Sequence, residues 1–151
     1  MASDLNELYQ DVIPDHNKRP RNYHKLEGAN RMAEGFNPFC GDQITAYLKL
    51  KDDVIQDISF LGYGCAISKA SASLMTLSLE SKTKPEAEAL FQKVNKMLTG
   101  APDRSNNLEE LGKLAVLSGV SRFPTRLKCA TLAWHTLLAA LEGKEERVST
   151  E

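Results

Sequence analysis

Apolar and polar residues alternate from Ile44 to Leu50, where Ile44, Ala46, Leu48 and Leu50 are interleaved with Thr45, Tyr47 and Lys49, and this spacing predicts a strand. Val54 to Leu61 predicts a second strand, and the polar turn Lys51-Asp52-Asp53 joins the two as a hairpin. Alternation is weaker between Leu26 and Ala33, where a third strand is expected. The rest of the chain carries helical spacing. Asp4 to about Ile13 places Leu5, Leu8, Tyr9 and Val12 on one side, and a second helical run follows Cys65 from Ala66 to Met75. Thr83-Lys84-Pro85-Glu86 fits a capping box ahead of the apolar face Ala87, Leu90, Phe91, Val94, Met97 and Leu98, which Gly100 ends. Ala101-Pro102-Asp103 reads as a turn, and Asn107-Leu108-Glu109-Glu110 can cap a further helix. After Pro124 a last helix carries the stripe Leu127, Ala130, Thr131, Trp134, Leu137, Leu138 and Leu141; Cys129, about half a turn from Leu127, is expected to point away from it. These elements predict an α+β domain.

Composition narrows the class. A chain of 151 residues can bury a sizeable fraction of its surface without disulfides, and its 42% hydrophobic and 26% charged residues are those of a soluble globule. A net charge of −1 gives no long-range field for nucleic acid. Basic residues cluster only at Lys18, Arg19 and Arg21, which reads first as a solvated loop and second as a docking contact for a protein. The N-terminal residues lack the basic start and apolar stretch of a secretory signal, and no segment approaches the roughly twenty apolar residues of a membrane span. An odd cysteine count of 3 argues against a disulfide framework and fits a reducing, cytoplasmic setting.

The cysteines carry the candidate chemistry. Free cysteines are often buried as small hydrophobes, and that reading stands beside a chemical one. Cys40 falls in Asn37-Pro38-Phe39-Cys40-Gly41-Asp42, where Asn-Pro and Gly mark a loop that keeps a thiol reachable. Cys65 follows Gly62-Tyr63-Gly64 at a helix start, where the helix N-terminus favours a thiolate. Cys129 has Arg126 and Lys128 beside it, two cations with the same effect, though both also read as ordinary solvated first-turn residues. Three thiols and the Asp42 carboxylate would complete a tetrahedral zinc set, but the cysteines lie far apart in sequence and spacing alone does not establish a site. Asp42 after Gly41 reads on its own as a turn cap. His16, His24 and His135 fall outside the cysteine segments or beside the core-facing Trp134 and are left out of the metal set.

Asn37-Pro38-Phe39-Cys40-Gly41-Asp42, Gly62-Tyr63-Gly64-Cys65-Ala66-Ile67-Ser68 and Arg126-Leu127-Lys128-Cys129-Ala130 resemble the three cysteine motifs of the iron-sulfur scaffold superfamily typified by IscU, NifU and SufU. The likeness runs in order from about Asp4 to Leu141 and includes Asp15-His16-Asn17-Lys18-Arg19-Pro20-Arg21-Asn22, similar to the segment after that family's first helix. Two departures resemble the SufU branch rather than IscU-like scaffolds. Lys128 stands where the latter place a histidine, and the stretch between Cys65 and Cys129 is longer.

The resemblance implies a fold, a site and an activity. The fold is a small antiparallel sheet of about three strands packed against helices, SufE/NifU-like, in a single domain over 1–151 with a helical insertion at about 82–122. The insertion, which holds no sulfur or histidine ligand, would mainly pack. The implied metal ligands are Cys40, Asp42, Cys65 and Cys129, holding Zn²⁺, with Cys40 the catalytic thiol and Arg126, Lys128, His16 and Arg21 as charge-stabilising or partner-binding residues. The implied activity is sulfurtransfer. Cys40 would accept persulfide sulfur from a SufS-type cysteine desulfurase and pass it toward a downstream iron-sulfur assembly scaffold, with no nucleic acid or membrane partner. Two alternatives stay open: a scaffold that assembles a transient iron-sulfur cluster on the same ligands, and a binding module with purely structural zinc.

Overall fold

The antiparallel core of the sheet is β1 (Arg31–Asn37), β2 (Asp42–Lys51) and β3 (Val54–Tyr63), and a short β4 (Val148–Ser149) pairs parallel to β1, giving the order β3-β2-β1-β4. The computed structural model describes residues 12–38, 41–99, 114, 117, 124–143 and 148–149, apart from the side chains of 99, 124–126, 148 and 149. Helices are α1 (12–18), α2 (Ala66–Leu79), α3 (Lys84–Thr99) and α4 (Pro124–Leu141). Most of the expected first helix, and the turn and cap proposed at 101–110, lie outside the described residues.

The β2–β3 hairpin forms where the alternation places it. Asp52 and Asp53 both take positive φ, 53° and 62°, the backbone of a two-residue type I′ turn whose twist suits the strands. Ile44, Ala46 and Leu48 face the core, joined by Ile55, Ile58 and Phe60 from β3. Strict alternation would put Ile55 and Ile58 on opposite faces. The register shift at Lys49/Leu50 inserts Gln56 as an extra residue and turns both isoleucines inward.

The third strand lies later than the alternation suggested. Gly28, at φ +83°, shapes the preceding loop, where the Ala29 N–H reaches Leu26 O, and the strand runs over Arg31–Asn37. Its inward positions are Ala33, Gly35 and Asn37, two small residues and one polar one, so a hydrophobic pattern barely registers there.

α4 explains why small residues are needed. It packs against β1, β2, α2 and α3 at once, and Cys129, Ala130, Leu132, Ala133, Trp134, Leu137, Ala139, Ala140 and Leu141 are all buried. The expectation that Cys129 points away from a single apolar stripe is therefore corrected: a helix covered on several sides has no solvent face at that position. A Cβ on Gly35 would overlap Thr136 Oγ1 and crowd Leu132. On α2, Ser71 Oγ donates to Ala130 O at 2.6 Å and accepts from Trp134 Nε1 at 3.2 Å, so two helices meet through a satisfied polar contact.

Thr83 and Glu86 form the capping box of α3: the Thr83 N–H reaches Glu86 Oε1 at 3.1 Å and the Glu86 N–H reaches Thr83 Oγ1 at 3.2 Å. Ala87, Phe91, Val94, Met97 and Leu98 are buried and Leu90 is partly so, as their spacing predicts. Leu114 and Leu117, from the expected insertion, join the same core.

The segment after α1 clasps the outer edge of β3. The Phe60 N–H donates to Asn22 O at 3.0 Å, Tyr23 OH donates to Gly62 O, and Asn22 Nδ2 donates to Thr76 Oγ1 at 3.0 Å. At the other end of β3, Ile55 N–H reaches Lys82 O and Ser81 N–H reaches Ile55 O. No helix among the described residues is long and apolar enough to cross a membrane.

Gly35→Ala should lower unfolding stability by about 1–3 kcal/mol in chemical denaturation, because the added methyl enters a filled space. Adding Thr136→Ala should recover part of that loss in a double-mutant cycle, and strictly additive losses would show that the overlap is relieved elsewhere.

Candidate metal centre

The far end of β1, the start of β2 and the start of α2 converge on one point. Asn37 and Asp42 pair as the last rung between β1 and β2, and the Gly41 N–H, from a glycine at φ +72°, closes onto Asn37 O at 2.9 Å. Cys40 lies between these paired residues in sequence, outside the described residues.

Across the sheet, β3 ends at Gly62-Tyr63, and Gly64 follows before Cys65 becomes the N-cap of α2. Gly62 and Gly64 have φ of 156° and 149°, a region open almost only to glycine. Space matters as much as the turn. A Cβ on Gly64 would overlap the Asp42 carboxylate, and one on Gly62 would overlap the Gln43 carbonyl. The bare backbone allows the Cys65 N–H to donate to Asp42 Oδ1 at 2.8 Å, while Asp42 Oδ2 lies 3.9 Å from Cys65 Sγ.

Cys129 reaches the same point from α4. The ligand atoms of Asp42, Cys65 and Cys129 all lie within 4.8 Å of one another. A tetrahedral zinc site with bonds of about 2.0–2.3 Å separates its ligand atoms by roughly 3.3–3.8 Å. Small side-chain adjustments suffice, so the donor set fits zinc. Asp42 and Cys129 are fully buried and Cys65 is half-buried, so Cys65 is the member of this trio that keeps contact with solvent.

The electrostatics favour an anionic thiol at Cys65. Its pKa is brought down to about 6, chiefly by the hydrogen bond with Cys129 and further by the Ser68 and Ile67 N–H groups of the first turn of α2. Burial and the Asp42 carboxylate push the other way without reversing the result.

Asn37 also belongs to the site, although Asn before Pro reads in sequence as turn punctuation. Its side chain is fully buried, with Nδ2 at 3.3 Å from Asp42 Oδ2 and 3.6 Å from Cys129 Sγ. The usable signal was strand register: Asn37 occupies an inward position of β1, two residues beyond Gly35.

The remaining candidates sit around this group. Lys128 is half-buried and precedes Cys129 on α4; Arg126 belongs to the first turn of that helix, and its side chain lies outside the described residues. His16 is only 2% exposed, its Nδ1 paired with Ser73 Oγ at 2.7 Å, about two turns along α2 from Cys65. That position ties α1 to α2. Arg21 lies on the surface, bonded to Asp15 at 2.7 Å, with its N–H on Ser73 Oγ at 2.8 Å. His24 is exposed, and His135 packs edge-on against Phe91 with its pKa lowered by burial; neither joins the donor group.

Comparison with known proteins gives a consistent placement. The family described as NifU-like N terminal domain matches residues 8–130. The chain is 43% identical over 140 residues to the iron-sulfur cluster assembly scaffold protein IscU of Streptococcus pyogenes serotype M1, covering 93% of this chain and 86% of that one. It is 40% identical over 144 residues to the zinc-dependent sulfurtransferase SufU of Bacillus subtilis (strain 168), covering 95% of each. A crystal structure from Fervidobacterium islandicum AW-1, described as a candidate iron-sulfur cluster assembly scaffold for the SUF system, superposes with a TM-score of 0.79 at 35% identity, covering 90% of this chain and 98% of that one. The donor geometry, the fold and these matches agree that the chain belongs to the NifU-like N-terminal domain family, within the IscU/NifU/SufU superfamily.

Proposed function

We propose that this protein is a zinc-dependent sulfur acceptor that takes persulfide sulfur from a SufS-type cysteine desulfurase for iron-sulfur cluster assembly. The observation that carries this reading is the convergence of Asp42, Cys65 and Cys129 beside the loop that bears Cys40. The relative matched over 95% of both chains is named a zinc-dependent sulfurtransferase, which supports the same reading.

Cys40, Asp42, Cys65 and Cys129 would hold the zinc, which when bound neutralises part of the charge on the thiolates and ties three separate segments into one fold. Three thiolates and a carboxylate leave a net negative centre even with Zn²⁺ present. Lys128 and Arg126 are the nearby cations in sequence that would offset it. The Cys40 thiolate attacks the terminal sulfur of the desulfurase's cysteine persulfide. A sulfur–sulfur bond forms at Cys40 as the one at the desulfurase breaks; that cysteine departs as a thiolate, and the terminal sulfur stays on Cys40 with its proton. No external oxidant or reductant is required. The persulfide then passes to a downstream assembly scaffold.

In this reading residues 1–151 work as one domain, with 82–122 inserted between the second and third cysteine segments; the burial of α3, Leu114 and Leu117 in the common core supports it. Arg21, on the exposed shoulder with Asp15, is the surface cation for partner contact. A reducing cytosol, where the three thiols stay free, is the fitting compartment.

A second reading has a specific observation behind it. The 43% identical relative is named a scaffold, so a transient iron-sulfur cluster assembled as cargo on the same thiolates is the alternative. Native mass spectra of anaerobic protein incubated with its desulfurase, cysteine and iron separate the readings: retained zinc with one added sulfur on Cys40 supports sulfur acceptance, and replacement of zinc by a cluster supports the scaffold. Retained zinc with no added sulfur would leave only a structural metal.

Cys40→Ala should abolish sulfur loading from the desulfurase while most of the fold remains by circular dichroism; normal loading in that variant would overturn the assignment of Cys40. Cys65→Ala and Cys129→Ala should each weaken Zn²⁺ binding by more than about 100-fold and lower the melting temperature, since metal binding is coupled to folding. Stoichiometric zinc in both purified variants would contradict the ligand set. Stripping zinc from the unaltered protein with a chelator should lower Tm, by an amount set by metal concentration relative to Kd; an unchanged Tm would show that the metal does not bind the native state preferentially.

A further inference from the structure

Asn37 places one side-chain amide against two of the ligand residues and its backbone against the loop of a third. Its carbonyl accepts the Gly41 N–H at 2.9 Å, closing the loop that contains Cys40. Its Nδ2 faces Asp42 Oδ2 at 3.3 Å and Cys129 Sγ at 3.6 Å. A carboxamide nitrogen has two N–H donors, and both neighbours are acceptors, so the amide is directed with its nitrogen toward them. The side chain is fully buried, where an unbonded amide would be costly. An apolar residue would fill the same space without that requirement.

We propose that Asn37 is a positioning residue of the metal centre, donating one N–H to the Asp42 carboxylate and the other to the Cys129 thiolate. The inference rests on the reading that Asp42, Cys65 and Cys129 hold zinc, and does not depend on sulfur transfer. Asp42 is then held from both sides, by the Cys65 N–H on Oδ1 and by Asn37 on Oδ2. An N–H donor on a thiolate withdraws electron density from sulfur, as outer-shell partners tune metal ligands elsewhere. Cys129, fully buried and carrying such a donor, becomes a weak nucleophile suited to holding metal.

The test compares the unaltered protein with Asn37→Ala and Asn37→Asp. Zn²⁺ affinity is measured by chelator competition at neutral pH, and the Co²⁺-substituted proteins are compared by the thiolate-to-metal absorption band. Asn37→Ala should weaken Zn²⁺ binding about 10- to 100-fold. It should also shift the Co²⁺ band to lower energy, because a thiolate without its N–H donor is more easily oxidised. Asn37→Asp matches asparagine in size but has no N–H to donate, so it should shift the Co²⁺ band to lower energy as Asn37→Ala does. A purely packing role predicts an unshifted band in Asn37→Asp. Zn²⁺ affinity of Asn37→Ala within about twofold of the unaltered protein, or an unshifted Co²⁺ band, would overturn the proposal. If the near-ultraviolet dichroism of Trp134 shows that Asn37→Asp does not fold, the Asn37→Ala affinity and band decide the matter alone. Failure of the unaltered protein to bind zinc would instead remove the zinc reading on which the inference stands, whereas failure of the Asn37 variants to differ leaves that reading intact.

Discussion

The hydrogen bond from the Cys65 N–H to Asp42 Oδ1 joins the start of β2 to the start of α2, and the site is built around it. It requires β3 to end against β2 with no side chain between, which is why Gly62 and Gly64 stand where they do. Once that contact is made, Cys65 is fixed at the mouth of a helix whose first N–H groups support its thiolate. Helix α2 then runs alongside α4, and the Ser71 contact with Ala130 and Trp134 sets the helix that delivers Cys129. A bond between two neighbouring elements therefore constrains a third that follows much later in the chain.

The site places negative charge in a poor location for it. Asp42 is fully buried beside Cys65, whose thiol is brought toward its anionic form, and a buried anion is tolerated only when hydrogen bonds, a cation or a metal compensates. Backbone N–H groups, the Asn37 amide and the thiol pair supply part of that compensation. A divalent cation is the natural remainder, and the carboxylate-plus-thiolate donors are of the kind zinc accepts.

Legibility in the sequence followed the strength of each physical signal. The β2–β3 hairpin and α3 were readable because a half-buried strand and a capped amphipathic helix write their exposure directly into residue type. β1 was misplaced because its inward positions are Ala33, Gly35 and Asn37, chosen for close packing under α4 and for polar contact rather than for hydrophobicity. The same limit affected Cys129: a helix covered on several sides loses its stripe, so periodicity could not say where the thiol points. Local context marked the cysteines as candidates, and the likeness of their flanking motifs joined them with Asp42 into one site. Their convergence is a tertiary fact that spacing in sequence does not encode, as is the burial of His16 beside Ser73.

The coverage of the sheet margins bears on how such a protein meets others. Asn22 and Tyr23 occupy one end of the outer side of β3, Ser81 and Lys82 occupy the other, and β4 lies along β1. Unprotected margins invite strand addition, which is indifferent to side-chain identity and leads readily to self-association. With those backbone groups engaged, recognition is shifted toward side chains and loops, where chemistry can discriminate. Selectivity gains from this arrangement, because part of the surface least able to tell partners apart is already occupied.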